Sequence, residues 1–349
     1  MMDWPMFHFD VARRGFTPGE LADVLKLAWV LKTEDRVFFA SPTVSGGRVY
    51  CGSRDRHLYA VEAASGGFLW RFQTGDEGNL SNSVAGSLVY AGSNVDGCLR
   101  AIDSHSGQQC WSFQTLGPVF ATPLVLEDRV LIGSSDNHLY ALDRQSGKFL
   151  WKNACGGELR YASCFYDGLV FSGASDGCLY ANAADDGTRL WSFNTQGAIH
   201  CTPAVDEDVV FIGSDDGHLY ALDATGGELL WHLCTGSAIR STAAVAKGTV
   251  VLTSLDCNCY ALEKFSGQLL WSLRTGDPVY SSPAVAGSTV VFGSNDSYLY
   301  GVDLSTGRVK WRNELGGSII SSPAVAGGMV FVGCEDGCLY AFSPENEKA

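Results

Sequence analysis

The sequence predicts an all-β fold, namely an eight-bladed β-propeller of four-stranded antiparallel blades. Short apolar runs separated by glycine turns fill a repeat of constant length. One tryptophan marks each repeat, with spacings of 41 residues twice and 40 residues thereafter: Trp29, Trp70, Trp111, Trp151, Trp191, Trp231, Trp271 and Trp311. A period of about 40–45 residues with this composition is typical of propellers, in which each repeat is one blade.

Residues 277–313 show the predicted blade most clearly. Four apolar runs are separated by the turns Asn-Asp-Ser and Ser-Thr-Gly, and they predict strands at Pro278–Val285, Thr289–Ser294, Tyr298–Asp303 and Arg308–Arg312. Apolar residues occupy both faces of these strands, as expected for a sheet that packs between two other sheets.

The two ends of the chain predict how the ring closes. The last repeat supplies three strands, Ile319–Val325, Met329–Cys334 and Cys338–Phe342, and lacks a tryptophan strand. The first tryptophan strand, Val24–Thr33, has no three strands before it. Together they complete an eighth blade, which removes exposed sheet edges. We therefore expect a leader at 1–23, a single propeller at 24–343 closed by 24–33, and a tail at 344–349.

The charge balance excludes some classes of partner. The chain has 24 basic and 38 acidic residues, giving a net charge of −14. Binding to nucleic acid or to an anionic membrane requires a cationic field, so neither is expected. No run of 18 apolar residues is present, and the first ten residues lack the basic start and apolar core of a secretion signal.

The twelve cysteines occur without paired spacing. Several replace Ser, Gly or Leu at repeat positions, as Cys334 replaces Ser294 and Cys257 replaces Gly217. Small buried thiols in a reducing compartment explain this pattern, so we expect free cysteines and a cytoplasmic protein.

An aspartate occurs in the turn between the second and third strands of every repeat: Asp55, Asp96, Asp136, Asp176, Asp216, Asp256, Asp296 and Asp336. Such a ring suggests cation binding, but the repeats are too far apart at this radius for one ion. Asp is also a preferred residue of tight turns, where its side chain accepts backbone N–H groups. We therefore predict a structural role.

Histidine and cysteine alternate at the start of the third strand: His57, Cys98, His138, Cys178 and His218, followed by Asn258, Tyr298 and Cys338. Zinc needs ligands at about 2 Å, and residues on different blades cannot converge to that distance. We predict no metal site.

The passage Ala141-Leu-Asp143-x-x-Ser146-Gly147-x-x-x-Trp151 recurs with small changes in most repeats. It resembles the pyrroloquinoline quinone (PQQ)-like repeat of the quinoprotein alcohol dehydrogenase-like superfamily, with its tryptophan-docking motif. The resemblance covers residues 24–343, and the opening Trp4-Pro5-Met6-Phe7 resembles the leader of repeat-only members. It implies that each indole packs between its own blade and the next. The third-strand tyrosines, a series interrupted by Arg100, are expected to pack between blades as well.

The superfamily implies two functional classes. Its dehydrogenases hold the quinone over calcium in the central funnel, capped by a disulfide between adjacent cysteines, with an Asp as base. This chain has no adjacent cysteines and nearly gapless repeats. The other class, which includes propeller lipoproteins of outer-membrane assembly, binds no quinone and acts through protein contacts. Compactness favours the second class, although the chain lacks a lipobox.

Departures from the repeat predict where a site lies. The residue that enters the innermost strand varies among blades: Phe39, Leu80, Phe120, Tyr161, His200, Arg240, Tyr280 and Ile320. Two positions later every repeat has a small polar residue: Ser41, Asn82, Thr122, Ser163, Thr202, Thr242, Ser282 and Ser322. Because side chains alternate along a strand, both sets are expected to line the funnel.

The predicted ligand- or partner-binding residues at the funnel mouth are Arg160, Tyr161, His200, Arg240, Tyr280 and Phe120. Arginines beside aromatic rings can bind a carboxylate of a small ligand or of a partner side chain. The alternative, which we favour, is that these arginines pair with Glu158, Asp277 and the turn aspartates.

No catalytic motif is present. We therefore interpret the chain as a non-enzymatic, monomeric scaffold that binds a protein partner or a small acidic ligand without a cofactor. The alternative is a PQQ- and calcium-dependent dehydrogenase or a quinone-binding sensor. A lectin-like use of the funnel is compatible with its aromatic residues.

Overall fold

The computed structural model describes residues 3–37, 40–74 and 82–344. These residues form strands and turns without a helix. Accordingly, no helix in this part of the chain has the length and apolar character needed to span a bilayer. The strands form eight sheets, each with four antiparallel strands, arranged as an eight-bladed β-propeller.

The first four blades follow one another along the chain, and each runs from the innermost to the outermost strand. Their strands are β3 to β6 (Thr43–Ser45, Arg48–Ser53, His57–Glu62, Phe68–Gln73), β7 to β10 (Asn82–Ala85, Leu88–Gly92, Cys98–Asp103, Gln109–Gln114), β11 to β14 (Leu124–Val125, Arg129–Gly133, His138–Asp143, Phe149–Ala154) and β15 to β18 (Cys164–Tyr166, Leu169–Gly173, Cys178–Ala183, Arg189–Asn194).

The next three blades repeat this order. Their strands are β19 to β22 (Ala204–Asp206, Val209–Gly213, His218–Asp223, Leu229–Cys234), β23 to β26 (Ala244–Ala246, Thr249–Ser254, Asn258–Glu263, Leu269–Arg274) and β27 to β30 (Ala284–Ala286, Thr289–Gly293, Tyr298–Asp303, Val309–Glu314). A short strand from the leader, β1 (Phe16–Thr17), pairs in parallel with β27.

The eighth blade is built from both ends of the chain, as predicted. Strands β31 (Ala324–Ala326), β32 (Met329–Gly333) and β33 (Cys338–Pro344) come from the C-terminal part, and β2 (Leu25–Lys32) completes the sheet. The pairing of β2 with β33 runs from Leu25↔Pro344 to Lys32↔Cys338 and is antiparallel. Closure of the ring therefore depends on contacts between residues more than 300 positions apart.

The innermost strands are shorter than predicted. Pro278–Val285 and Ile319–Val325 were expected to be strands, but the regular strands cover Ala284–Ala286 and Ala324–Ala326. The reason is that a serine side chain makes the hydrogen bonds that the backbone of a longer strand would make. The Ser281 hydroxyl accepts the N–H of Gly293 at 3.1 Å and donates to the carbonyl of Ser321 in the next blade at 2.9 Å. The segment before Ala284 is thus tied to two blades without forming a strand.

The tryptophans contact the following blade through its glycines. A Cβ atom on Gly307 would lie 2.7 Å from Cδ2 of Trp271, and Gly307 has φ of +71°. Gly227 has the same relation to Trp191. Six of the indole N–H groups donate to a carbonyl of the next blade at 2.8–3.2 Å: those of Trp29, Trp70, Trp151, Trp191, Trp231 and Trp271. The indole N–H groups of Trp111 and Trp311 have no partner within the described part of the chain.

The turn aspartates and the third-strand tyrosines form one structural unit within each blade. Asp216 accepts the backbone N–H of His218 at 2.8 Å and the hydroxyl of Tyr220 at 2.9 Å, and it also accepts the N–H of Gln196 from the loop that enters the blade. The expectation of inter-blade packing for the tyrosines is therefore incomplete, because their hydroxyls bond within their own blade. In the second blade Arg100 forms an ion pair with Asp96 in place of the tyrosine.

The leader runs around the inside of the ring. Trp4 exchanges two backbone hydrogen bonds of 2.8 Å with Val44 of the first blade. Backbone carbonyls of residues 5, 11, 12, 14 and 15 then accept N–H groups from the innermost strands of the second, fourth, fifth, sixth and seventh blades. The inner edges of these strands are thereby covered, and the leader closes one end of the central channel.

Candidate functional site: the central funnel

The channel is a cup that is open at the loop face and has a cavity volume of about 240 Å³. Phe7 of the leader is part of its lining, and because the leader closes the far end, Phe7 forms the floor. The walls carry the aromatic rings of Phe120, Tyr161 and Tyr280, together with Ile320. The charged residues in the described lining are Arg160 and Arg240, and this lining contains no carboxylate.

The structure brings five of the six predicted mouth residues into this lining, namely Phe120, Arg160, Tyr161, Arg240 and Tyr280. His200 lies behind them, with its ring centroid 5.9 Å from that of Tyr161. Phe39 and Leu80, the entry residues of the first two blades, lie outside the described residues. The floor residue Phe7 was not predicted, since nothing in the repeat pattern indicates that the leader crosses the channel.

Arg240 is held by a carboxylate that sequence reasoning missed. Its Nε and Nη2 atoms donate to the two oxygens of Asp215 at 2.9 and 3.0 Å. His200 Nδ1 lies 2.8 Å from Asp215 Oδ2, so the ring carries its proton on Nδ1, because an ionised carboxylate only accepts. Burial opposes ionisation of Asp215, but the hydrogen bond from Arg240 and the charges of His200 and Arg240 lower its pKa overall.

A sequence signal for Asp215 does exist. The residue before the turn aspartate is acidic in two blades, as Asp215 and Glu335, and is not acidic in the other six: Arg54, Val95, Ser135, Ser175, Leu255 and Asn295. Because the turn between the second and third strands shares a face with the entry to the innermost strand, an extra carboxylate there reaches a mouth arginine.

Arg160 is less restrained than Arg240. Its Nε forms an ion pair with Glu158, two residues earlier, and its side chain is 47% exposed. Its guanidinium carbon lies 5.3 Å from the ring centroid of Phe120. From the sequence we favoured pairing of the arginines with Glu158, Asp277 and the turn aspartates. Arg160 does pair with Glu158, whereas Arg240 pairs with Asp215 instead of Asp277. An ion pair at such an exposed position contributes about 0–1 kcal/mol, so Arg160 can change partner at little cost.

Burial determines the protonation of the aromatic wall. It raises the pKa of Tyr161 to about 12, although the charge of Arg240 opposes this shift. The phenol is therefore neutral at physiological pH and can act as a donor or an acceptor in the funnel.

The funnel residues do not fit a quinone–calcium centre. Calcium takes six to eight oxygen ligands, usually including carboxylates. The described lining offers no carboxylate, and Asp215 lies outside it in contact with Arg240 and His200. Among residues 3–37, 40–74 and 82–344, no three His, Cys, Asp or Glu side chains are placed to share a metal ion. All twelve cysteines are free, so the capping disulfide has no counterpart here.

Comparison with known families agrees with this architecture. The family described as "Beta-alanine-activating enzyme, beta-propeller" matches residues 127–349, more than half of the chain. The chain belongs to this family. A second family, described as outer membrane protein assembly factor BamB, matches residues 25–112. The two matches support a PQQ-like repeat propeller of the quinoprotein alcohol dehydrogenase-like superfamily.

Individual relatives match only part of the chain. Quinohemoprotein alcohol dehydrogenase ADH IIB of Pseudomonas putida is 29% identical over 154 residues, which are 38% of this chain and 22% of that protein. The beta-alanine-activating enzyme of Danio rerio is 30% identical over 97 residues, 26% of this chain and 8% of that protein. The propeller thus aligns with a small part of these longer proteins.

A solved structure extends the similarity to the whole ring. The quinohemoprotein alcohol dehydrogenase ADHIIG from Pseudomonas putida HK5 superposes with a TM-score of 0.87 at 16% identity, covering 98% of this chain and 80% of that one. At this identity the match supports the fold alone.

Proposed function

We propose that this chain is a non-enzymatic propeller module that binds an acidic group, from a protein partner or a small ligand, in its central funnel. The observation that carries the proposal is the charge of the described lining. It contains two arginines and no carboxylate, and the carboxylate partners of these arginines, Asp215 and Glu158, lie outside it, in a protein with a net charge of −14. An anion that enters the funnel meets guanidinium groups and apolar walls, whereas the outer surface repels it.

The two arginines are expected to contribute to anion binding in different ways. Asp215 fixes Arg240 through Nε and Nη2, which leaves Nη1 as a positioned donor. Arg160 is half exposed and can exchange Glu158 for a ligand carboxylate. Tyr161 and Tyr280 supply aromatic surface for the body of the ligand.

A non-enzymatic role is supported by the surroundings of His200. Asp215 orients this histidine as it would a general base, but no hydrogen bond joins the ring to a serine, threonine or cysteine in the described residues. A histidine can activate a serine, threonine or cysteine nucleophile only when the two side chains are within hydrogen-bond reach. We further propose that the protein is a cytoplasmic monomer, which analytical ultracentrifugation and cell fractionation would test.

Calorimetric titration tests the proposal with two defined acids. Glutarate represents a small ligand, and a hexaglutamate peptide represents an acidic partner segment. We expect saturable binding of at least one of them, reduced about 10-fold or more in Arg240→Ala and in Arg160→Ala. Arg71→Ala is the matched control, because Arg71 is an exposed arginine paired with Glu34 on the outside of the ring. Absence of binding by both acids, or equal loss in the control, would refute the proposal.

The name of the family suggests β-alanine as a third probe, since it carries a carboxylate. The competing dehydrogenase function is tested by titration with PQQ and calcium. Saturable binding accompanied by reduction of a redox dye would overturn the proposal.

A further inference from the structure

Below the mouth of the funnel, hydroxyl groups join neighbouring blades in an unusual way. The backbone N–H of Thr242 donates to the Ser282 hydroxyl at 2.9 Å, and the N–H of Ser282 donates to the Ser322 hydroxyl at 2.9 Å. The N–H of Ser322 donates to the Ser41 hydroxyl at 3.1 Å, and the N–H of Thr202 donates to the Thr242 hydroxyl at 3.2 Å. We call Thr242, Ser282, Ser322 and Ser41, from four adjacent blades, the hydroxyl arc.

Each hydroxyl of the arc still has its own proton to donate. A hydroxyl has one O–H donor and two acceptor lone pairs, and the incoming N–H occupies one lone pair. The four side chains are at most 7% exposed and line the cavity. None of them donates to an acceptor among the described residues. The four hydroxyl groups line the cavity, so their O–H donors are available to a ligand that enters it.

The neighbouring serines show that this pattern is specific to the arc. Ser281 accepts the N–H of Gly293 and donates to the carbonyl of Ser321. Ser321 likewise accepts the N–H of Gly333, and it donates to the carbonyl of Gly333. These two hydroxyls are not part of the cavity lining and donate their proton within the protein, whereas the hydroxyls of the arc line the cavity.

A buried cation lies behind the floor. Arg13 of the leader is 0% exposed, and its guanidinium donates to the carbonyls of Phe7, Ser163 and Pro123. None of these acceptors carries a full charge. Burial lowers the pKa of Arg13 to about 10, so the side chain remains protonated at neutral pH. Its field is weakly screened in the interior and favours negative charge at the base of the cup.

We infer that the hydroxyl arc is an oxyanion subsite that takes the carboxylate of a ligand entering the funnel end-on. This inference rests on the proposed function and specifies its ligand as a carboxylate attached to an aromatic or apolar body. The O–H donors bind the carboxylate oxygens, and Phe7, Tyr161 and Tyr280 pack against the body. A doubly charged phosphate fits less well, because the arc itself contains no cation to offset its desolvation.

Calorimetry with phenylacetate and its neutral isostere phenylacetamide tests the inference. We expect saturable binding of phenylacetate and at least 10-fold weaker binding of phenylacetamide, because a neutral acceptor gains less from hydroxyl donors. Ser282→Ala and Ser322→Ala should each weaken phenylacetate binding about 10-fold. Ser282→Thr should keep the wild-type affinity for phenylacetate, because three other blades have threonine at this position: Thr122, Thr202 and Thr242.

Ser281→Ala is the matched control, since it removes a hydroxyl one residue away that faces the other side. It should lower thermal stability and leave phenylacetate affinity unchanged. Equal affinity of wild type for the acid and the amide, or unchanged affinity in Ser282→Ala and Ser322→Ala, would overturn the inference. If Arg240→Ala then still weakens glutarate binding, the proposed function stands without the subsite.

The source of the carboxylate is tested with two tripeptides that end in phenylalanine, one with a free carboxylate and one amidated. Binding of the free-acid peptide alone, with loss in Ser282→Ala, assigns the arc to a chain terminus. Binding of phenylacetate without either peptide assigns it to small acids.

Discussion

The contact between Trp271 and Gly307 allows the contribution of one joint between blades to the free energy of unfolding to be measured. A Cβ atom on Gly307 would lie 2.7 and 2.8 Å from Cδ2 and Cε3 of the indole, and the residue has φ of +71°. Gly307→Ala therefore combines a backbone penalty with a steric one. Gly248→Ala has the backbone penalty alone, because Gly248 has φ of +76° and no atom within 4 Å of the added Cβ.

The two penalties have different sizes. A left-handed backbone conformation costs an alanine about 1–2 kcal/mol. Displacing a packed indole costs about 1–3 kcal/mol more, and the Trp271 hydrogen bond to the Leu304 carbonyl, now 2.8 Å, is lost or lengthened. We expect Gly307→Ala to destabilise the protein by about 2 kcal/mol more than Gly248→Ala does.

Denaturant unfolding followed by tryptophan fluorescence and circular dichroism measures the difference. A double-mutant cycle then separates its cause: in a Trp271→Ala background, Gly307→Ala should cost no more than Gly248→Ala. Equal costs of the two glycine substitutions in the wild-type background would refute the reasoning. So would a steric penalty that persists without the indole.

Three further predictions concern closure, pH and the thiols. A chain starting at residue 33 lacks β2 and should melt far below a chain starting at residue 18, which keeps it; equal melting temperatures would contradict closure by pairing of β2 with β33. Burial lowers the pKa of His8 to about 3, whereas an unfolded histidine titrates near pH 6.5. As the pH falls from 6.5 towards 4, only the unfolded chain gains this proton, so stability should fall by up to about 1.4 kcal/mol per pH unit. His8→Gln should reduce this slope, as measured by urea unfolding at several pH values. At pH 8 a thiol reagent should label the exposed Cys110 and Cys234 in the native state. Rapid labelling of the five buried thiols would show that blades open: Cys51, Cys164, Cys201, Cys259 and Cys334.

The sequence was sufficient to predict the ring. Trp29 and its seven counterparts, with a glycine 36 or 37 positions after each of the first seven, gave the number of blades and their order. The unpaired strand at 24–33 gave the closure. Because these features repeat at a fixed period, the blades can be recognised in the sequence without knowledge of contacts between distant residues.

What could not be predicted depends on contacts that occur once. The sequence marks Asp215 as one of two acidic residues that precede a turn aspartate, but its bond to Arg240, 25 positions later, is visible only in the fold. Phe7 and Arg13 belong to a leader that carries no repeat, so its path through the channel has no periodic signal. The strand predicted at Pro278–Val285 was too long because serine hydroxyls bond like backbone groups, which composition does not show.

Three joints, those between the fifth and sixth, sixth and seventh, and eighth and first blades, are fastened at two radii. Amide-to-hydroxyl bonds join the blades near the axis, and indole hydrogen bonds join them near the circumference. Each joint therefore sets a wedge angle, and eight such angles must add up to a full turn. No single joint can open unless the other joints narrow to compensate. A substitution at the rim is consequently expected to change the bore of the cup, so affinity at the axis can be tuned from positions that never touch the ligand.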